Sequence, residues 1–271
     1  MGLKHPFDGE VTLPTAQDNT ANTLMSYTSS GGAHATYSPY DIAALMWLYG
    51  GDGLGGSLGQ GTDGLYLIGT GNADALAGGS GDDVVDGAGG NDTLNGGAGI
   101  DTARFSGNRA AYTITPGPGG HTVNGPDGTD SLLQVERLSF ADGSLAFDLD
   151  GNAGTVAKFL GAVFGKAGVA EPRYVGIGLN LADGGMGKAE LMQLALEAGL
   201  GPGFTAAAEV TLLYQNLVGQ TPSPDDLQYW TGVLASGQYS PVSLALMAAE
   251  LDLNLANVDL VGLAQTGLAF V

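Results

Sequence analysis

The chain has 271 residues, 44% of them hydrophobic, with 48 glycines and no cysteine. That length supports two or more modules rather than one compact enzyme domain, the glycines assign much of it to turns, and the missing thiols exclude disulfides, thiol catalysis and cysteine-based zinc clusters. Acidic residues outnumber basic ones 28 to 8, and the resulting formal charge of −20 disfavours nucleic acid and anionic membrane surfaces while favouring cations.

An extracellular protein without disulfides needs another staple, and calcium would serve. The opening Met1-Gly2-Leu3-Lys4-His5-Pro6 lacks the apolar core of a secretory signal peptide. No apolar stretch approaches the length needed to span a bilayer. Export, on this reading, uses another route.

Three short segments open the chain: Gly2-Leu3-Lys4-His5-Pro6-Phe7-Asp8-Gly9, Asn22-Thr23-Leu24-Met25-Ser26-Tyr27 and Tyr40-Asp41-Ile42-Ala43-Ala44-Leu45. In the last of them Ser38-Pro39 is a helix start, Ile42, Leu45, Met46 and Tyr49 keep helical spacing, and Gly50 is placed to end the helix. Taken singly, His5 reads as a surface histidine and Met25 as a core residue. In this order the three segments resemble the end of the zinc motif, the Met-turn and the following helix of serralysin-type metalloproteases. The resemblance implies that His5 descends from the third zinc ligand, that Met25 lies beneath the metal and that Tyr27 is the tyrosine that reaches it.

A catalytic zinc needs three protein ligands and a general base. The histidines are His5, His34 and His121, and no H-E-x-x-H occurs. The expectation is a vestigial zinc site and no peptide hydrolysis, with Zn²⁺ relevant only if an upstream segment supplies the motif. The competing reading is a fragment, or a late-assigned start, of an active zinc endopeptidase.

Gly55-Gly56-Ser57-Leu58-Gly59 matches a nucleophile pattern formally, but glycine-rich flanks replace the strand and helix that pattern requires. Gly165-Lys166 and Gly187-Lys188 lack the remainder of a phosphate loop.

Asp74, Asp83, Asp92 and Asp101 then recur every nine residues, and Leu76, Val85, Leu94 and Ala103 each follow two residues later. A glycine-rich half with one Asp, alternating with a half carrying one aliphatic residue, predicts a parallel β-roll in which glycines make the turns. Residues one full turn apart stack, so Asp74 should lie over Asp92 and Asp83 over Asp101. Stacked carboxylates repel unless a cation lies between them. An all-oxygen donor set suits Ca²⁺. The candidate calcium ligands are these four aspartates, Asp82 and Asn91, and the turn positions Gly79, Gly81, Gly90, Gly97 and Gly99, for about two good sites. These residues resemble the RTX repeats of proteins exported by bacterial type I secretion systems. Thr70, Asn72 and Ala103 depart from that pattern, which marks the end units as weak sites or caps. The alternative is a glycine-rich linker that binds nothing, and the joint period of aspartate and aliphatic argues against it.

After the repeats, residues 111–114, 121–124 and 132–138 read as short strands that cap the roll, with a hairpin at Asp142-Gly143 before Leu145-Ala146-Phe147. Asp148-Leu149-Asp150-Gly151-Asn152 has the opening spacing of a calcium loop, but Ala153 and Phe159 occupy the later key positions, so a helix cap is preferred, with a weak extra calcium site as the alternative.

From Thr155 the period becomes helical: Val156, Phe159, Leu160, Val163 and Phe164 before Gly165, then Val210, Leu213, Tyr214, Leu217 and Val218 before Gly219. A second apolar segment follows each, carrying Tyr174 in the first copy and Tyr229-Trp230 in the second. Ser223-Pro224 and Ser240-Pro241 are helix starts. The segment 210–232 best carries a resemblance to a helical domain of unknown function that follows RTX repeats in secreted proteins and is distantly similar to phycobilisome linkers. Its aromatics read as core, or else as an interaction surface for glycan, cell envelope or a sister subunit. The apolar, uncharged residues 260–271 suit either a type I export signal or a docked terminal helix.

The expected fold is multidomain β plus α: a metalloprotease remnant over 1–50, an RTX β-roll with capping strands over 51–150, and an α-helical domain over 151–271. The expected function is that of a secreted, extracellular RTX protein that folds on calcium after type I secretion, with calcium ions and the secretion machinery as partners and neither nucleic acid nor a membrane span. An adhesion or envelope-binding module using the helical half is the rival from another class.

Overall fold

The computed structural model describes residues 64–117 and 119–271. His5, Tyr27, Met25 and the expected helix near residues 40–50 lie outside them. The described chain divides into two compact units between Val135 and Glu136. The fold is β plus α, with mixed sheets and, among the described residues, eight α-helices.

In the first unit five short strands follow one another: β1 (Tyr66–Ile68), β2 (Ala75–Ser80), β3 (Val84–Asp86), β4 (Thr93–Ala98) and β5 (Thr102–Arg104). They alternate between two parallel ladders. β1 pairs with β3 and β3 with β5, while β2 pairs with β4. Tyr66 opposite Val84 and Leu76 opposite Leu94 set the advance at two nonapeptides per coil. One residue per nonapeptide points inward, namely Leu67, Leu76, Val85, Leu94 and Ala103, all buried. The single aliphatic position per repeat therefore builds the whole interior, and Ala103 fills it least.

After β5 the chain makes a short 3₁₀ turn (Arg109–Ala111) and an antiparallel pair, β6 (Thr113–Gly117) and β7 (Gly120–Gly125), before β8 (Gly128–Leu133). β8 lies between β7, antiparallel, and β4, parallel, in a sheet ordered β2-β4-β8-β7-β6. The expected strand over 132–138 is thus two pieces. Gln134 takes a left-handed φ of 49° and ends β8 before the next strand begins.

The second unit opens with the hairpin of β9 (Arg137–Phe140) and β10 (Gly143–Ala146). Helices α1 (Asn152–Val169), α2 (Pro172–Asp183), α3 (Lys188–Leu200), α4 (Ala206–Val218), α5 (Pro224–Ala235), α6 (Pro241–Ala249), α7 (Asp252–Asn257) and α8 (Leu260–Thr266) follow, and β11 (Leu268–Phe270) ends the fold. Ser223 and Ser240 cap α5 and α6 as their sequence predicts, the latter in a reciprocal capping box with Ser243. The apolar terminus is neither wholly helix nor wholly loose: β11 pairs antiparallel with β10, and Leu268 is buried.

Helix α1 is the centre, packed against α2, α3, α4, α6 and α7. It is apolar on nearly every side, as a central helix must be. Gly161 allows α7 to approach, since a Cβ there would lie 2.2 Å from Val258 Cγ1. At Gly165 the backbone leaves the helical region (φ 66°) and frees carbonyls, two of which accept from Asn216 Nδ2, Ala162 O at 3.0 Å and Val163 O at 2.7 Å. The second copy repeats the device. Gly219 ends α4 with φ 77°, and Asn257 Nδ2 donates to Leu217 O at 2.8 Å. Each apolar segment is thus interrupted or ended by a positive-φ glycine, Gly165 as a kink within α1 and Gly219 at the end of α4, with an asparagine on the carbonyls before it.

Asp148 accepts from the backbone N–H of Ala153 at 3.1 Å, which bears out its capping role. It also pairs with Arg137, which reaches Asp183 at 3.3 Å; the guanidinium is buried, so both carboxylates are needed to hold its charge. Tyr229 is 64% exposed and Tyr174 47% exposed, so these two tyrosines are not core. Among the described residues no helix is long and apolar enough to cross a membrane.

Glu209, in the first turn of α4, is fully buried, and neither carboxyl oxygen meets a donor among the described residues. Burial pushes its pKa from 4.5 up to about 7. Between those values the folded state holds the proton more tightly than the unfolded chain, so stability falls as pH rises through the window. Glu209→Gln is expected to flatten that decline and leave the protein more stable at pH 7, by up to roughly 3 kcal/mol. Urea unfolding of both proteins at pH 4.5, 6 and 7.5 measures it; superimposable pH profiles would refute the assignment.

Candidate calcium centre

The two parallel ladders bring the aspartates onto two edges of the coil. Asp74 and Asp92 share one edge and Asp83 and Asp101 the other, as the period requires. The link is a hydrogen bond from each rung to the next: Asp74 N donates to Asp92 Oδ1 at 2.9 Å and Asp83 N to Asp101 Oδ1 at 2.7 Å. Asp83 Oδ1 in turn accepts from Leu65 N at 2.6 Å. The other oxygen turns back into its own repeat, where Thr70 N donates to Asp74 Oδ2 at 2.6 Å and Gly79 N to Asp83 Oδ2 at 2.7 Å. Asp83, Asp92 and Asp101 are buried, and Asp74, at the open end, is half-buried.

Asp82 and Asn91 precede two of these residues and are exposed, yet they stitch the same turns. Asp82 Oδ1 accepts from Ile100 N at 2.8 Å and Asn91 Oδ1 from Thr129 N at 2.9 Å. The turn glycines differ in what constrains them. Gly99 has φ 143°, and a Cβ there would lie 2.3 Å from the Gly81 carbonyl oxygen; Gly90 has φ 128° and is as tightly covered by Asn72. Gly81 and Gly97 also take positive φ, whereas Gly79 does not and has open space beside it. The left-handed turns press each coil onto the next and bring backbone carbonyls to the same edges as the carboxylates.

A residue absent from the nonapeptide count joins the first edge. Asp92 N donates to Asp130 Oδ1 at 2.9 Å, and Asp130 is buried. Burial, followed by the charge of Asp74, raises the Asp92 pKa. Burial, followed among the raising influences by the neighbouring Asp92, raises Asp130 to about 6. Its neighbour Asp127 behaves oppositely: hydrogen bonds from Ser106 and Tyr112 outweigh burial and hold it below the usual range. The signal for Asp130 in the sequence is Gly125-Pro126-Asp127-Gly128-Thr129-Asp130-Ser131-Leu132-Leu133, which carries Asp and Leu at the repeat positions but out of phase with the others.

Carboxylates taken out of water at a shared edge repel one another and cost stability unless protonated or neutralised by a cation. The available donors are oxygens, a set that fits Ca²⁺ rather than softer metals. No group of three or more His, Cys, Asp or Glu side chains converges as a metal cage among the described residues. A cation at these edges would therefore take part of its shell from backbone carbonyls, which the left-handed glycines expose. The residues fit calcium on those terms. Zinc finds no support: its candidate residues His5 and Tyr27 lie outside the described part of the chain.

A family model of the RTX calcium-binding nonapeptide repeat matches residues 68–103, in four copies. A search of curated proteins finds no match for the chain. Residues 68–103 are therefore RTX calcium-binding nonapeptide repeats.

Gly99→Ala should lower the stability of the repeat unit by about 2 kcal/mol, because the new side chain meets both a forbidden φ and a carbonyl oxygen. Gly79→Ala, two repeats earlier, should stay within about 0.5 kcal/mol of wild type. Thermal unfolding in excess calcium separates the two, and equal effects would contradict the turn geometry.

Proposed function

We propose that this is an extracellular protein whose RTX segment is a parallel β-roll that folds on calcium after type I secretion. The observation that carries the reading is the stack of buried aspartates on each edge of the repeat coil, with glycine turns too tight for any side chain. Asp74, Asp83, Asp92 and Asp101, with carbonyls of the turns around Gly81, Gly90, Gly97 and Gly99, would hold the ions. Calcium supplies positive charge between stacked carboxylates. The chain's own part is to bury those carboxylates, align them through the hydrogen bonds between rungs, and exclude side chains from the turns.

Extracellular calcium modules bind with dissociation constants on the order of 10⁻⁴–10⁻³ M. At ten times that constant each site adds about 1.4 kcal/mol of folded-state stability. Where calcium is scarce the same carboxylates repel, so one sequence is loose before export and folded after it. Serralysin-like ancestry, carried by the segments around His5, Met25 and Tyr40, is consistent with this setting. The helical unit is proposed as a covalently attached passenger with its own core.

A calcium titration followed by far-ultraviolet circular dichroism tests the reading. A cooperative gain of β-structure is expected, shifted to higher calcium in Asp83→Ala and Asp92→Ala. An unchanged spectrum and melting temperature in millimolar calcium would overturn it.

A further inference from the structure

We infer that Gly125–Leu133 is a fifth calcium-binding repeat, set apart from the other four by an inserted hairpin, and that Asp130 completes an additional calcium site with Asp92. The inference rests on the calcium reading of the four matched repeats and adds a rung to them.

The equivalence is atomic. Asp130 accepts from Asp92 N as Asp92 accepts from Asp74 N and Asp101 from Asp83 N. Thr129 N donates to Asn91 Oδ1 as Ile100 N does to Asp82 Oδ1. Ser131 N donates to Asp92 O at 2.8 Å, matching Thr93 N to Asp74 O at 2.9 Å and Thr102 N to Asp83 O at 2.7 Å. Gly90 N donates to Asp127 O at 2.9 Å, as Gly81 N does to Ala98 O at 2.8 Å. Gly128 takes φ 129° directly over Gly90, and Leu132 sits opposite Leu94, almost fully buried. The first glycine, the left-handed glycine, the aspartate and the inward aliphatic of a repeat are all matched by this segment, and only the second glycine is replaced, by Pro126.

The period conceals it. Asp92 and Asp130 are 38 residues apart, whereas the other rungs are separated by 18. The excess is the excursion through β6 and β7. Asp127 fastens that excursion, accepting from Ser106 N at 3.0 Å, Ser106 Oγ at 2.6 Å and Tyr112 Oη at 2.5 Å.

Asp130 also differs from Asp74 and Asp83 in a way that favours a cation. In two of the earlier repeats the residue four before the aspartate donates its N–H to Oδ2, as Thr70 and Gly79 do, whereas Ala88 N, four before Asp92, turns to Asp86 Oδ1. Here that residue is Pro126, which has no N–H to give. The carboxylate is buried beside a second buried carboxylate, Asp92, with that donor removed. One edge then holds three rungs, Asp74, Asp92 and Asp130, and two intervals between them. The other edge holds Asp83 and Asp101.

Calcium stoichiometry of the full chain, measured by equilibrium dialysis, decides the matter. Asp130→Asn keeps the oxygen that accepts from Asp92 N but removes the charge. It should bind one ion fewer than wild type and than the surface control Asp150→Asn, with the same circular dichroism in excess calcium. If Asp130→Asn does not fold, the comparison of Asp74→Asn with Asp92→Asn replaces it. A rung shared by two intervals costs two ions when neutralised, and an end rung costs one. Wild-type stoichiometry in Asp130→Asn, or equal losses in Asp74→Asn and Asp92→Asn, would overturn the fifth repeat and leave the four-repeat calcium reading standing. A wild-type chain that binds no calcium would remove both.

Discussion

Buried like charge is the constraint on which the repeat unit depends. A coil with one inward aliphatic residue per nine has a thin interior, and Ala103 makes it thinner at one end. Burial of Leu76, Val85 and Leu94, at roughly 2 kcal/mol each, competes with the ordering of whole nonapeptides rich in glycine, the residue that loses most backbone freedom on folding. Against that narrow margin the same coil takes four aspartates, Asp83, Asp92, Asp101 and Asp130, out of water. The hydrogen bonds from rung to rung satisfy some carboxylate oxygens and leave the charge unbalanced. A divalent cation between the carboxylates would reverse the sign of this repulsion, which is the physical ground of the proposed calcium-coupled folding.

The turns follow from the same constraint. Carbonyls and carboxylates reach one edge only if successive coils nearly touch, and a Cβ at Gly99 or Gly90 would prevent it. Gly79 is different. It lies in strand β2 with open space beside it, and a residue with a side chain would fit there. Thr70, at the corresponding place in the first repeat, shows that the chain uses this freedom. Glycine-richness in the repeats is therefore two things, a steric requirement at the left-handed positions and a tolerance at others.

What was legible in the sequence was what depends on a fixed period. The alternation of ladders, the stacking of Asp74 on Asp92 and Asp83 on Asp101, and the inward Leu and Val positions follow from spacing alone. Asp130 was not legible because an insertion of local structure shifts it out of phase, and phase is all that a periodic pattern carries. Residues 132–138 read as one strand because nothing in their polarity marks the left-handed Gln134. In the helical unit, Gly165, Gly219 and the serine-proline caps announced themselves. The asparagines that finish those ends, Asn216 and Asn257, could not be seen, since each acts on a carbonyl some 40 residues or more away. The final segment was read as export signal or helix; its pairing with β10 is a tertiary preference that overrides an ambiguous apolar run.

The pairings of the repeat unit also differ in what they require. Those between β2 and β4, or between β3 and β5, join segments 18 residues apart and carry the stacked aspartates with them. The β7–β8 pairing closes across Pro126 and Asp127 alone, and Asp127 is held by Tyr112 and Ser106 without a cation. A short closure costs less entropy than a long one, and the Ser106 and Tyr112 donors satisfy the Asp127 carboxylate locally. β8 is thereby fixed by local contacts that do not depend on calcium, and it presents to β4 the edge on which the repeats stack. The parallel stack runs from this locally fixed end through β4 to β2, where the Asp74 carboxylate is only half-buried.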